Sequence, residues 1–167
     1  SQSSTCLANI AEESINQTII AQNGGILPCI AVMRSKHLAV QRECGRLLSN
    51  VCACTVPDHI QTVMDGGGHE SLISFLLSDD LVCQRVGAFG LGNLCSHEDK
   101  HRVSLLRVGI FEPLASLARS ENTEVELRRF ATLAIANLAS TVDNHADLIA
   151  DGILPMLVSS STSSDAD

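Results

Sequence analysis

The chain has 167 residues, 45% of them hydrophobic and 18% charged, with a net charge of −8. That balance predicts a folded chain rather than a disordered one. Nineteen acidic against eleven basic residues exclude general affinity for a nucleic-acid backbone. Four Phe with no Trp and no Tyr exclude recognition by base stacking or an aromatic cage.

In chain order, the start Ser1-Gln2-Ser3-Ser4-Thr5 lacks the basic-then-apolar order of a signal peptide and lacks an initiator Met. It predicts a disordered start over 1–5. Then comes Leu7-Ala8-Asn9-Ile10-Ala11, and the same pattern returns three times. It recurs as Leu48-Ser49-Asn50-Val51-Cys52, Leu91-Gly92-Asn93-Leu94-Cys95 and Ile135-Ala136-Asn137-Leu138-Ala139, with the Asn residues 41, 43 and 44 positions apart. A second series runs out of phase with it. Gly25-Ile26-Leu27-Pro28, Gly68-His69-Glu70-Ser71, Gly109-Ile110-Phe111-Glu112-Pro113 and Gly152-Ile153-Leu154-Pro155 repeat at 43, 41 and 43 residues. Two independent series share one period.

Within a period, a short helix such as Asp58 to Met64 or Ala146 to Ala150 is predicted to end at a Gly of positive φ. A second helix follows with Pro28, Pro113 or Pro155 in its first turn, where a missing N–H costs nothing. Asp79-Asp80 and Asn122-Thr123 are expected to cap a longer third helix, roughly Leu81 to Cys95 and Glu124 to Ala139. No stretch alternates with period two, so an all-α chain is predicted.

Three helices per period, with G-x-x-P-x-[LI] opening the second and small-x-x-x-L-x-N-[LV] closing the third, resemble the armadillo-repeat family in its β-catenin-like and vacuolar-scaffold-like forms. The resemblance implies a right-handed α-α superhelix, an armadillo solenoid of three-helix repeats. It divides the chain into the end of a preceding third helix (6–15), repeats at 16–55, 56–97 and 98–141, and a partial repeat at 142–160. The polar end is expected to be a disordered tail over 161–167, and the whole to be a piece of a longer array. Exposed repeat ends would then permit association of copies.

Seven Cys in an odd, unframed arrangement suit a reducing compartment, cytoplasmic or nuclear. The repeat places Cys29, Cys44, Cys52, Cys83 and Cys95 at small or apolar positions, which predicts core packing. Cys52-Ala53-Cys54 is not a C-x-x-C motif. Cys95, His97 and His101 lack the second Cys pair of a zinc site, so no metal and no cofactor is expected. Asp65-Gly66-Gly67-Gly68 lacks the Lys-Ser/Thr of a phosphate loop and reads as a turn. The chain has no run of the roughly 18–20 apolar residues that cross a membrane, so no insertion is expected. No Ser-His-Asp or paired-carboxylate spacing appears, and no catalytic residue is assigned.

At about 100° per residue, Asn9, Asn50, Asn93 and Asn137 point away from the buried stripe of their helices. The resemblance places this row on the concave inner groove, where an Asn amide can hold a peptide unit of an extended chain from both sides. The competing reading is that each Asn bonds a neighbouring helix and fixes repeat packing. Four residues earlier, where import adaptors of the family carry Trp, stand Arg46, Phe89 and Leu133. That departure argues against import-adaptor-like binding of a basic cargo. Arg42, Arg46, Arg85, Arg128 and Arg129 instead predict a locally basic face, unless they pair with Glu43, Glu124 or Glu126. The candidate peptide-binding set is therefore Asn9, Asn50, Asn93, Asn137, Arg42, Arg46, Arg85, Phe89 and Arg129. The expected partner is a protein or extended peptide, and the arginines point to an acidic or phosphorylated one. The expected role is a non-catalytic scaffold, with the recognition arm of a larger enzyme such as a ubiquitin ligase as the alternative.

Overall fold

The structure is a computed structural model describing residues 2–162, all α-helical apart from loops and one 3-10 turn. α1 (Gln2–Ile10) precedes α2 (Ser14–Gln22), α3 (Ile26–Met33) and α4 (Leu38–Val51). Then come α5 (Pro57–Asp65), α6 (Gly68–Leu76) and α7 (Leu81–Leu94). The next trio is α8 (Asp99–Arg107), α9 (Phe111–Arg119) and α10 (Val125–Ala139). A 3-10 turn, Val142–Asn144, leads into α11 (His145–Ala150) and α12 (Ile153–Thr162). Among the described residues there is no strand.

Three local expectations need correction. Residues 2–5 are helical rather than disordered, because α1 lies along α4 and the Ser4 hydroxyl meets the Cys44 thiol. At the other end, residues 161 and 162 continue α12, while 163–167 lie outside the described residues. The third correction concerns the capping of α10. Asp80 does cap α7, its Oδ1 accepting the Cys83 N–H at 2.9 Å. Before α10, however, Glu124 rather than Asn122 or Thr123 occupies the capping position, and its carboxylate turns to Arg85 instead.

The turn between first and second helices depends on a left-handed residue. It falls on Gly24, Gly67, Gly109 and Gly152, with φ of 74°, 73°, 83° and 92°. In the first two repeats this is the residue before the glycine of the sequence series. An L side chain at such a φ is strained, which is why each turn uses glycine.

The third helices α1, α4, α7 and α10 pack side by side in one layer, and α3, α6 and α9 pack behind α4, α7 and α10. Leu48, Leu72, Leu91, Leu94, Leu114 and Leu138 fill the space between the layers and are fully buried. The layers bring backbone close to backbone at Gly87, where an added Cβ would lie 2.6 Å from the Leu76 nitrogen and 2.7 Å from the Leu72 carbonyl oxygen. Cys29, Cys44, Cys52, Cys54, Cys83 and Cys95 are all buried free thiols, at small or apolar core positions.

A helix leaves its last carbonyls without intrahelical partners. Equivalent carbonyls just past the four third helices are each taken by a side chain. Gln17 Nε2 donates to Ala11 O at 3.0 Å, and His97 Nε2 to Cys52 O at 2.7 Å. Arg102 Nη1 donates to Cys95 O at 3.1 Å, and His145 Nε2 to Ala139 O at 2.9 Å. Arg102 also holds Thr141 Oγ1 at 2.6 Å, tying α8 to the end of α10. His97 is thus engaged by a backbone carbonyl, and His101 is buried in α8 with its pKa lowered by desolvation.

Candidate functional site

The exposed face of the third-helix layer carries the nine residues singled out in the sequence. Three of the four Asn side chains form a ladder. Asn50 Nδ2 donates to Ala8 O at 3.5 Å, Asn93 Nδ2 to Ser49 O at 3.0 Å, and Asn137 Nδ2 to Gly92 O at 3.3 Å. Each acceptor is the residue just before the preceding Asn, so one bond recurs at every step between third helices. An Asn amide has two N–H donors and one acceptor oxygen. Among the described residues, the ladder uses one donor and leaves Oδ1 and the second N–H unclaimed. Packing and exposure are therefore combined in one side chain. Asn9, on the first helix, accepts from Arg46 Nη2 through its Oδ1 at 3.2 Å.

The arginines do not make the locally basic face that their positions suggest. Arg42 grips Asp80 with two nitrogens, Nε donating to Oδ1 at 3.0 Å and Nη2 to Oδ2. Arg46 pairs with Glu12 at 2.9 Å and Glu43 at 3.0 Å. Arg85 lies 3.2 Å from Glu124 and 3.7 Å from Glu126. Arg128 donates to the Thr123 carbonyl at 3.2 Å. Arg129 is exposed and has no carboxylate against it among the described residues. Five carboxylates thus answer three arginines: Asp80, Glu124 and Glu126 come from the start of the following third helix, Glu43 from α4 itself and Glu12 from just beyond α1.

Asp80 has two roles, capping α7 and clamping α4. Hydrogen bonds from Arg42, and then from the Cys83 N–H, hold its carboxyl well below the usual carboxylate range. Burial, reinforced by the Asp80 charge, pushes the Cys83 thiol up to about 11. The sequence marks Asp80 as a cap. Its partner Arg42 lies 38 residues away, so the clamp emerges only in three dimensions.

Phe89 is not alone. Its ring centroid is 5.2 Å from that of Phe130, with the planes tilted by 50°. Together with Val82, Arg85, Val86 and Glu126 they line a cavity of about 290 Å³ between α7 and α10. Leu133, the counterpart of Phe89 on α10, is 54% exposed. Phe130 escapes the sequence reading because it stands outside the asparagine register. The usable signal is composition: two of only four Phe lie on third helices. Among the described residues no group of three or more His, Cys, Asp or Glu side chains has the geometry to hold a metal ion.

Stacked three-helix units sharing a side-by-side layer of third helices define an α-solenoid. No family model and no curated protein matches the chain. Solved structures do. An engineered protein superposes with a TM-score of 0.80 at 29% identity, covering 90% of this chain and 60% of its own. A computationally designed armadillo repeat protein for modular peptide recognition gives 0.86 at 20% identity, covering 94% of this chain and 66% of its own. Another designed armadillo repeat protein, in complex with the peptide (KR)4, gives 0.85 at 21%, covering 94% and 65%. The chain has the armadillo-repeat fold. It spans somewhat less than two thirds of the length of each of these neighbours.

Proposed function

We propose that the chain is a non-catalytic scaffold that holds an extended peptide along the layer formed by α1, α4, α7 and α10. The observation that carries this is the asparagine ladder, in which each amide is fixed by one bond and keeps a donor and an acceptor for a ligand. Packed helices lie about 8–10 Å apart, and an extended chain rises about 3.3 Å per residue. One Asn therefore meets about every third residue. The bound peptide (KR)4 belongs to a designed neighbour of the same fold. The present chain has no Trp with which to build a basic-residue pocket. Its groove charges are compensated, so an acidic or phosphorylated residue is read at Arg129 rather than along the whole face.

A random linear peptide library displayed against the chain tests the proposal. Binders selected on the natural sequence should lose about thirtyfold in affinity to an Asn93→Ala/Asn137→Ala variant, as loss of one hydrogen bond worth about 1 kcal/mol at each Asn implies. Circular dichroism checks that this variant remains folded. Equal binding to the two folded proteins would overturn the groove reading.

A further inference from the structure

We infer that the gap between α7 and α10 is the selectivity pocket of the groove and takes one large apolar side chain of the bound peptide. The inference rests on the peptide-binding reading above and adds the chemistry of the residue it selects.

The pocket differs from its counterpart one repeat earlier. Val86 and Phe89 of α7 correspond to Glu43 and Arg46 of α4, which are joined by an ion pair at 3.0 Å. Arg46 also reaches back to Asn9 at the end of α1 and to Glu12 just beyond it, so α4 presents paired charges where α7 presents apolar groups. Between α7 and α10 the same positions are apolar, and Phe130 adds a second ring 5.2 Å from Phe89. The two repeats thus differ at these positions, with Phe89 only partly buried and Val86 in the core beneath it.

Size and charge define the occupant. The cavity of about 290 Å³ lies at the lower limit of pockets that hold small molecules, roughly 300–1,000 Å³. It suits a single side chain. Its only charged rim groups, Arg85 and Glu126, lie 3.7 Å apart, and Arg85 has Glu124 at 3.2 Å as well. An anionic ligand side chain would meet two carboxylates against one guanidinium, and a cationic one would have to compete with Arg85 for them, each losing hydration against the rings. An apolar one loses nothing and covers the rings.

The neighbouring asparagines supply the other half of the contact. Asn93 lies one helical turn beyond Phe89, and Asn137 one turn beyond Leu133. Both amides keep a donor and an acceptor beyond their ladder bonds. Side chains of an extended segment alternate in direction, so a peptide held by these amides can turn every second side chain toward the helices. One of them enters between Phe89 and Phe130.

Two substitutions test this with little risk to folding, because equivalent positions of this chain already carry the new residues. Phe89→Leu imitates Leu133, and Phe89→Arg imitates Arg46. A random linear peptide library is selected against the natural chain and both variants. The natural chain and Phe89→Leu should enrich Leu, Ile, Met or Phe at one fixed peptide position. Phe89→Arg should lose that preference and bind the selected peptides about tenfold to a hundredfold more weakly, the value of burying one such side chain. Replacing the enriched residue by Ala should weaken binding to the natural chain by a similar factor and leave binding to Phe89→Arg unchanged.

Enrichment of Lys or Arg at that position, or an apolar preference that survives Phe89→Arg, would overturn the inference. Binders that depend on Asn93 and Asn137 but show no apolar preference would overturn it and leave the groove reading intact. A library that yields no binder to the natural chain would overturn both.

Discussion

The contact between the two helix layers can be tested at one atom. Gly87 lies in the middle of α7 against α6, and Cys44 and Ala131 occupy the equivalent positions in the adjacent repeats. A Cβ at Gly87 would sit 2.6 Å from the Leu76 nitrogen and 2.7 Å from the Leu72 carbonyl oxygen, where ordinary contact begins near 3.4 Å. Both atoms are backbone, so no side chain can rotate away. Helix α6 would have to retreat by roughly 0.8 Å, loosening Leu72 and Leu76, which are 0% and 3% exposed. Overpacking of this kind costs about 1–3 kcal/mol, and a rigid backbone clash belongs in the upper part of that range. Replacing Gly by Ala inside a helix returns about 1 kcal/mol. The net for Gly87→Ala is a loss of about 1–2 kcal/mol, or roughly 2–8 °C in melting temperature for a chain of this length.

Gly92, five residues further along the same helix, is the control. A Cβ there meets only the Phe130 carbonyl oxygen, at 3.8 Å, and the equivalent residues are Ser49 and Ala136. Gly92→Ala should keep the helical gain and raise the melting temperature by about 2–4 °C. Thermal unfolding followed by far-ultraviolet circular dichroism reads both. Equal or higher stability of Gly87→Ala would refute the close approach of α6 and α7, as would matching losses in the two variants.

The clamp at Asp80 predicts a pH dependence. Its carboxyl is held below the ordinary value of 3.8 by Arg42, so its contribution is present above that value and lost as pH falls. Asp80→Asn keeps an oxygen for the Cys83 N–H but removes the charge. Its stability deficit should be largest near neutral pH and shrink progressively below about pH 5, and urea melts that show a constant deficit down to pH 3 would contradict this. Among the thiols, Cys44 is held below the ordinary thiol value chiefly by the adjacent Cys29 side chain, and it lines an apolar cavity. Burial pushes Cys95 up to about 12. At pH 8, iodoacetamide should modify Cys44 at least tenfold faster than Cys95, as thiolate fraction governs reactivity; peptide mass mapping that finds Cys95 modified first would refute the assignment.

The helices were legible because each repeat carries its own punctuation. Pro28, Pro113 and Pro155 stand in first turns, Asp80 caps, and the asparagines return at a steady period, all within a few residues of the element they define. Even so, the turning glycine is Gly24 or Gly67 rather than its successor, because two adjacent glycines give the chain a choice that only helix packing resolves. The ends of the third helices were legible to within a residue, but the side chains that close them were not. Their equivalent carbonyls are satisfied by Gln17, His97, Arg102 and His145. Four different ways of donating one hydrogen bond leave no common residue to align.

The candidate site divides along the same line. A rotation of about 100° per residue places Asn50, Asn93, Asn137, Arg42, Arg85 and Phe89 on one helix face, and that much the order of residues determines alone. It also determines the all-α class and the stacking of like units, since both follow from local pattern and repetition. Tertiary structure decided what the face is. Asn93 meets Ser49 across 44 residues and Arg42 meets Asp80 across 38. Whether such pairs form depends on the stagger between neighbouring third helices, and that stagger is set by core contacts rather than by the pairing residues. The face consequently changes from a basic strip to one on which Arg42, Arg46 and Arg85 are compensated beside an apolar gap between α7 and α10, a distinction that rests largely on distances of about 3 Å between side chains of different repeats.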